Sequence, residues 1–281
     1  MRRLLLATDL DRTLLPNGAA PESPGARPCF AALAAHRDVT VVYVTGRDPG
    51  RVDEALQAWG VPRPDVLIAD VGTTIADPGP GGWLRWPRWD VEIGRGWHGS
   101  TAGDLASLLA DLPGLQLQEA SRQSRWKLSF ETRPASEVDR LGERIRVRLA
   151  ECGVAAAVVG SRDDLLDKGL LDVLPPGADK QQALAFVMTE LGFAPGETVF
   201  AGDSGNDLPV LAGPVPAVVV ANADPGFQVE AAEAAARAGL GDRLVFARGG
   251  VLGMNGNYAA GIIEGVLHFR PEWRALLEGA S

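Results

Sequence analysis

Apolar runs that alternate with amphipathic stretches constrain this chain more than any other feature. Leu4–Thr8 (LLLAT), Val39–Val44 (VTVVYV), Asp65–Ala69 (DVLIA), Glu197–Ala201 (ETVFA), Pro216–Val220 (PAVVV) and Arg243–Ala247 (RLVFA) are nearly unbroken in apolar character. Strands of a half-exposed sheet alternate in polarity, whereas unbroken runs mark strands buried on both faces. Helical patterns lie between them, over Arg51–Trp59, Lys180–Leu191 and Phe227–Ala238. Such alternation predicts an α/β fold with a doubly wound, parallel, Rossmann-like sheet.

The middle of the chain breaks this rhythm. From Asp77 it reads DPGPGGW, then WLRW, WDVEI, a helical pattern over Ala102–Leu112, LQLQEA, RWKLSFE, a second helical pattern over Glu137–Glu151, VAAAVVGS and LLDVLP. Short, partly alternating strands suit an antiparallel sheet with helices on one face. Residues 79–175 are therefore read as an inserted α/β module, and residues 1–78 with 176–281 as the core. Both junctions fall in turn-rich sequence, at Pro78–Gly82 and Pro175–Gly177.

Charge narrows the function. A net charge of −9 on 281 residues argues against nucleic acid and against an anionic membrane surface as partners. Cys29 and Cys152 are far apart and show no metal-ligand spacing, which fits a reducing compartment. The apolar start is too short for a signal-peptide core and runs into charges, so a cytoplasmic location is the expectation. The only lysines are Lys127, Lys168 and Lys180.

Ligands of open parallel sheets sit at the carboxyl ends of the strands. Polar residues at those ends are Asp9 and Asp11 after the first run, Thr45, Gly46 and Arg47 after the second, and Asp203, Ser204, Asn206 and Asp207 in GDSGND after ETVFA. Lys180 opens the helix before that run. Alternate residues of an extended chain share a face, so Asp9 and Asp11 can point into one cleft. Four carboxylates there call for a hard divalent cation, and Mg²⁺ suits a site that keeps waters and takes a phosphate. Thr45 also suits a turn-capping role, Arg47 a surface pair with Asp48 or Asp53, and Asn206 a helix N-cap.

The order DLDRT (Asp9–Thr13), VTGR, LPPGADKQQAL and GDSGND resembles the four motifs of the haloacid-dehalogenase-like phosphatases. That family usually carries Gly where Arg12 stands. The resemblance extends to the sucrose-phosphate phosphatase branch through Val71–Thr73, QSRWKLSF, LDVLPPGADK, VVVANA and NYAAGIIEGVLHF. It implies that Asp9 is a nucleophile forming an aspartyl-phosphate and that Asp11 is the acid and base. Thr45 and Lys180 would hold phosphoryl oxygens. Asp9, the main-chain carbonyl of Asp11, and Asp203 would ligate Mg²⁺, with Asp207 in support and Ser204 and Asn206 in further contacts. The inserted module then becomes a cap that reads the sugar, with Gln123, Arg125 and Lys127 bonding hydroxyls. Trp83, Trp86, Trp89, Trp97 and Trp126 serve there as apolar platforms or as cap core. Sucrose 6-phosphate is the expected substrate. The alternatives are a mannosylfructose or glucosylglycerol phosphate, or a partner domain associating with a sugar-phosphate synthase. Gly94, Gly96 and Gly99 spell GxGxxG, but no βαβ unit surrounds them and Trp97 and His98 crowd the turn, so a dinucleotide site is rejected. His36, His98 and His268 are read as structural.

Overall fold

The computed structural model describes residues 3–163 and 167–280. Among the described residues, twelve strands form two sheets. The larger contains β1 (Leu4–Thr8), β2 (Val39–Val44), β3 (Val66–Ala69), β4 (Thr74–Gly79), β5 (Gly82–Arg85), β10 (Thr198–Gly202), β11 (Ala217–Val219) and β12 (Leu244–Phe246), in the order β12-β11-β10-β1-β2-β3-β4-β5. Pairing is parallel from β12 to β3 and antiparallel at β3–β4 and β4–β5. The expected parallel α/β core is present.

Burial explains the unbroken apolar runs. On one face Leu4, Leu6, Val41, Tyr43, Leu67 and Val199 join a core with the helices Ala26–Ala34, Pro49–Trp59 and Ala259–Phe269. The intervening Leu5, Ala7, Val42 and Phe200 are equally buried, and the helices Lys180–Leu191 and Leu208–Leu211 cover that side. Helix Pro49–Trp59 shows how locally such elements are specified. Asp48 caps its N-terminus by accepting from the Arg51 N–H, proline stands in its first turn, and Gly60 ends it in left-handed backbone.

The second sheet, β6 (Gln116–Leu117), β7 (Leu128–Thr132), β8 (Ala157–Asp163) and β9 (Lys168–Leu174), has the order β6-β7-β9-β8 and is antiparallel throughout. The helices Ala102–Leu109 and Val138–Glu151 pack on it and on each other. Gly160 lets Val138 approach the sheet, since a Cβ there would lie 2.5 Å from the Val138 side chain.

Contacts divide the chain into a unit up to Arg85 and from Lys180 onward, and a unit spanning Trp86–Asp179. The sequence placed these junctions at 78/79 and 175/176. The first moves because WLR forms β5 and pairs with β4 at the edge of the large sheet. A second difference lies in WDVEI, which is not a strand but part of the helix Pro87–Gly94, burying Trp89 and Ile93 one turn apart. Pro87 in the first turn sets that helix despite the β-forming side chains that follow. Among the described residues, no helix is long and apolar enough to cross a membrane.

Candidate active site

The chain runs β1 to β2 to β3 in one direction across the sheet and β10 to β11 to β12 in the other. The carboxyl ends of β1 and β10 therefore flank the crevice where the strand order reverses. Asp9 leaves β1 with its N–H bonded to the Ala201 carbonyl at 2.9 Å, so the two strand ends are tied together. Asp203 follows β10 directly.

Lys180 is the hub of the cluster. Its ammonium is fully buried and donates to Asp9 Oδ1 at 2.8 Å, Asp207 Oδ1 at 2.6 Å and Asn206 Oδ1 at 3.0 Å. Asp207 is further fixed by N–H donors from Asp203 at 3.1 Å and Ser204 at 3.3 Å to Oδ2. Gly202 makes room for this carboxylate, because a Cβ there would meet it at 2.7 Å. The Ser204 hydroxyl lies 3.3 Å from Asn206 Oδ1. The Thr13 hydroxyl donates to Asp203 Oδ1 at 3.2 Å.

Carboxylate oxygens of Asp9, Asp203 and Asp207 lie within 4.8 Å of one another, and all three residues are buried. Burial alone would lower the Lys180 pKa, but Asp207 and Asp9 outweigh it and keep the amine charged. Burial raises Asp9, Lys180 opposes the shift, and the Asp207 and Asp203 charges add to it. Asp203 is raised by burial and by Asp207, against Arg12 and Thr13. Three acids thus share too little positive charge.

Asp203 Oδ2 shows the shortfall at a single atom. It is buried and accepts no hydrogen bond, although Arg12 Nη2 stands 2.9 Å away. The contact supplies charge without the direction a hydrogen bond requires. A free buried lone pair in an all-oxygen set fits a hard divalent cation such as Mg²⁺. Among the described residues, Asp9, Asp203 and Asp207 are the acidic side chains grouped closely enough to hold one.

Asp11 stands apart from that group. Its carboxylate takes a bidentate pair from Arg47, Nε to Oδ2 at 2.7 Å and Nη2 to Oδ1 at 2.6 Å, and a third bond from Asn17 Nδ2 at 2.6 Å. Burial pushes Asp11 upward, but these bonds prevail and hold it below the usual carboxylate range. Arg47 therefore pairs with Asp11 and with neither Asp48 nor Asp53. The Thr45 hydroxyl accepts from the Arg47 N–H at 3.2 Å, and Gly46 completes the turn between them.

Several supports were not legible from the motifs. Asp70 and Val71 have positive φ of 51° and 62°, a costly conformation for a β-branched residue. Their N–H groups bond the carbonyls of Arg47 and Thr45, so strain is held directly behind the Thr45 turn. Asn222 donates to the Arg12 carbonyl at 2.6 Å and accepts from the Tyr258 N–H at 2.8 Å, which gives VVVANA a bracing role.

Gln123, an expected substrate contact, bonds backbone groups of the chain itself. Its amide donates to the Gln118 and Ser129 carbonyls and accepts from the Ser129 N–H, and so braces the Trp86–Asp179 unit. Lys127 is buried. Trp89, Trp97 and Trp126 are core of that unit, with Trp97 and Trp126 rings 5.8 Å apart and the Trp126 indole donating to Asp90 at 3.0 Å. Trp83 belongs to β5, under the Arg63 guanidinium at 4.4 Å. Gly94 and Gly96 serve packing, against Trp126 and Pro176.

Comparison with known proteins agrees with this geometry. The family described as sucrose-6F-phosphate phosphohydrolase matches residues 2–270. A Nitrosococcus oceani protein named only as a HAD-like hydrolase is 42% identical over 277 residues, covering 99% of this chain and 74% of that protein. Sucrose-phosphatase 2 of Nicotiana tabacum is 32% identical over 237 residues, covering 79% of this chain and 51% of the tobacco protein, so the chain spans about half its length. The crystal structure of a sucrose-phosphatase from Synechocystis, in complex with sucrose and phosphate, superposes with a TM-score of 0.73 at 25% identity, covering 96% of this chain and 98% of that one. The family match and the fold place the chain among the HAD-like phosphatases, in the class of phosphoric monoester hydrolases. The chain belongs to the sucrose-6F-phosphate phosphohydrolase family.

Proposed function

We propose that the chain hydrolyses a phosphorylated sugar, with sucrose 6-phosphate as substrate, and that Asp9 becomes transiently phosphorylated. The observation that carries this reading is the convergence of Asp9, Asp203 and Asp207 on the fully buried Lys180 at the end of β1. A carboxylate is a weak nucleophile and gains most from fixed position and charge neutralisation. Lys180 supplies both to Asp9. Asp9, Asp203 and the Asp11 carbonyl, with Asp207 in support, would hold Mg²⁺, which would supply the remaining charge neutralisation.

In the first half-reaction Asp9 Oδ attacks phosphorus, the ester P–O bond breaks, and the sugar oxygen takes a proton from Asp11. In the second, Asp11 removes a proton from water, which attacks the aspartyl-phosphate and frees inorganic phosphate and Asp9. The Arg47 pair favours ionised Asp11, the form needed for the second half. For the first half that pair must open. Arg47, Thr45 and Gly46 line the β2 end, where a phosphate dianion offers the guanidinium another partner. Ser204 and Asn206 border the same cluster. The Trp86–Asp179 unit is assigned the reading of the sugar.

Phosphate release measured with Mg²⁺ across sucrose, mannosylfructose, glucosylglycerol and hexose phosphates tests the assignment. Sucrose 6-phosphate is expected to give the highest kcat/KM, with loss on EDTA treatment. A higher value for mannosylfructose or glucosylglycerol phosphate moves the enzyme to that substrate. Failure to turn over any of them supports a partner domain of a sugar-phosphate synthase.

A further inference from the structure

Arg12 is placed with unusual care for a half-exposed residue. Its backbone is left-handed, at φ 58°, which costs a non-glycine residue on the order of 1 kcal/mol. Asn17 Oδ1 accepts its N–H at 2.7 Å, and Asn222 Nδ2 donates to its carbonyl at 2.6 Å. The outcome of this clamp is the guanidinium 2.9 Å from Asp203 Oδ2, where the Arg12 side chain is 55% exposed and the Asp203 side chain 2%.

Two cations thus serve the three clustered acids, and they differ in freedom. Lys180 is fully buried and tied by three hydrogen bonds. Arg12 makes a charge contact with an oxygen that accepts no hydrogen bond, and it has solvent beside it. The atom it shields is the free lone pair of the oxygen set. A hard cation and a guanidinium cannot both take that oxygen without strong mutual repulsion.

We propose that Arg12 is a resident counter-ion of Asp203 that competes with the divalent cation. Without the cation it stabilises the buried carboxylate; with the cation bound, the guanidinium withdraws to solvent. Cation affinity is thereby set below what the carboxylates alone would give. This inference rests on the reading of the cluster as a divalent-cation site.

The test measures Mn²⁺ binding by electron paramagnetic resonance and Mg²⁺ binding by calorimetry on the metal-stripped full chain, with no substrate present. Arg12→Gly and Arg12→Asn both tolerate the left-handed backbone and remove the charge, whereas Arg12→Lys retains it. Removing the charge is expected to tighten cation binding about tenfold, the scale of a typical coupling between two sites. It is also expected to lower the melting temperature of the metal-free protein, while Arg12→Lys stays near wild type. Unchanged or weaker binding in folded Arg12→Gly and Arg12→Asn overturns the inference and makes Arg12 a bystander or a support of the loaded site. If wild type and variants alike bind no ion, the cation site itself fails, and with it the metal requirement of the proposed function.

Discussion

The two units of this chain bury polar groups for opposite purposes. In the large-sheet unit four buried charged residues, drawn from the end of β1, the segment after β10 and the start of the helix Lys180–Leu191, face one another: Asp9, Lys180, Asp203 and Asp207 are each at most 5% exposed. In the Trp86–Asp179 unit, buried and half-buried polar groups bond their own surroundings. Gln123 holds the Ser129 backbone, the Ser129 hydroxyl pairs with Asp172 and Arg122, and Trp126 holds Asp90. Charges there, such as Arg148 with Asp111, pair at the surface, where such contacts contribute little. The first arrangement accumulates unbalanced charge, which is useful for chemistry. The second ties Gln123, Ser129 and Trp126 to neighbours within the unit, which is useful for shape.

Substitutions can break this contrast, and the largest effect belongs at the nucleophile. Asp9→Asn keeps the shape and the Lys180 contact but removes the attacking charge. Its kcat is expected to fall at least about 10⁴-fold with folding retained, read from steady-state phosphate release and circular dichroism. Lys180→Met leaves Asp9 and Asp207 as uncompensated buried charges. It is expected to lose activity and about 3–5 kcal/mol of stability in urea denaturation. The Trp86–Asp179 unit should respond differently. Gln123→Ala strands the Ser129 N–H and costs about 1–3 kcal/mol, seen as a lower urea midpoint. A loss of kcat/KM much larger than this stability change would instead place Gln123 at the substrate.

The smallest effect sharpens the comparison within the site. Asp11 has its folded pKa depressed, so the Arg47 pair contributes stability above the unfolded carboxylate value and loses it as pH falls through the folded one. Wild type and Arg47→Gln are thus expected to differ modestly in stability at neutral pH and to converge in acid. Melting curves across pH 2–7 would check this, on the order of the reference carboxylate range. A gap that persists at the acid end would assign Arg47 a packing role.

Strand ends were readable because both their apolar runs and the acids after them are local in sequence. Asp9, Thr45 and Asp203 follow their strands as expected, and the doubly wound order brings them to one edge. Long side chains were not readable in this way. Arg47 reaches Asp11 across 36 positions, and Arg12 reaches Asp203 through a left-handed turn that the nearby Asn17 and the distant Asn222 fix. WDVEI misled because its residues favour strands, while Pro87 and the spacing of Trp89 and Ile93 impose a helix. Aromatic content could not separate a sugar platform from a core, and burial put Trp89, Trp97 and Trp126 in the core.

The central claim is that Asp9 forms the covalent bond to phosphorus. Borohydride reduction of acid-quenched enzyme converts an aspartyl-phosphate into homoserine, which peptide mass spectrometry locates to a residue. Using the best sugar phosphate of the panel, homoserine is expected at position 9, only when substrate and Mg²⁺ are both present. Conversion at position 11 or 203 in its place, or none during demonstrable turnover, would contradict the account.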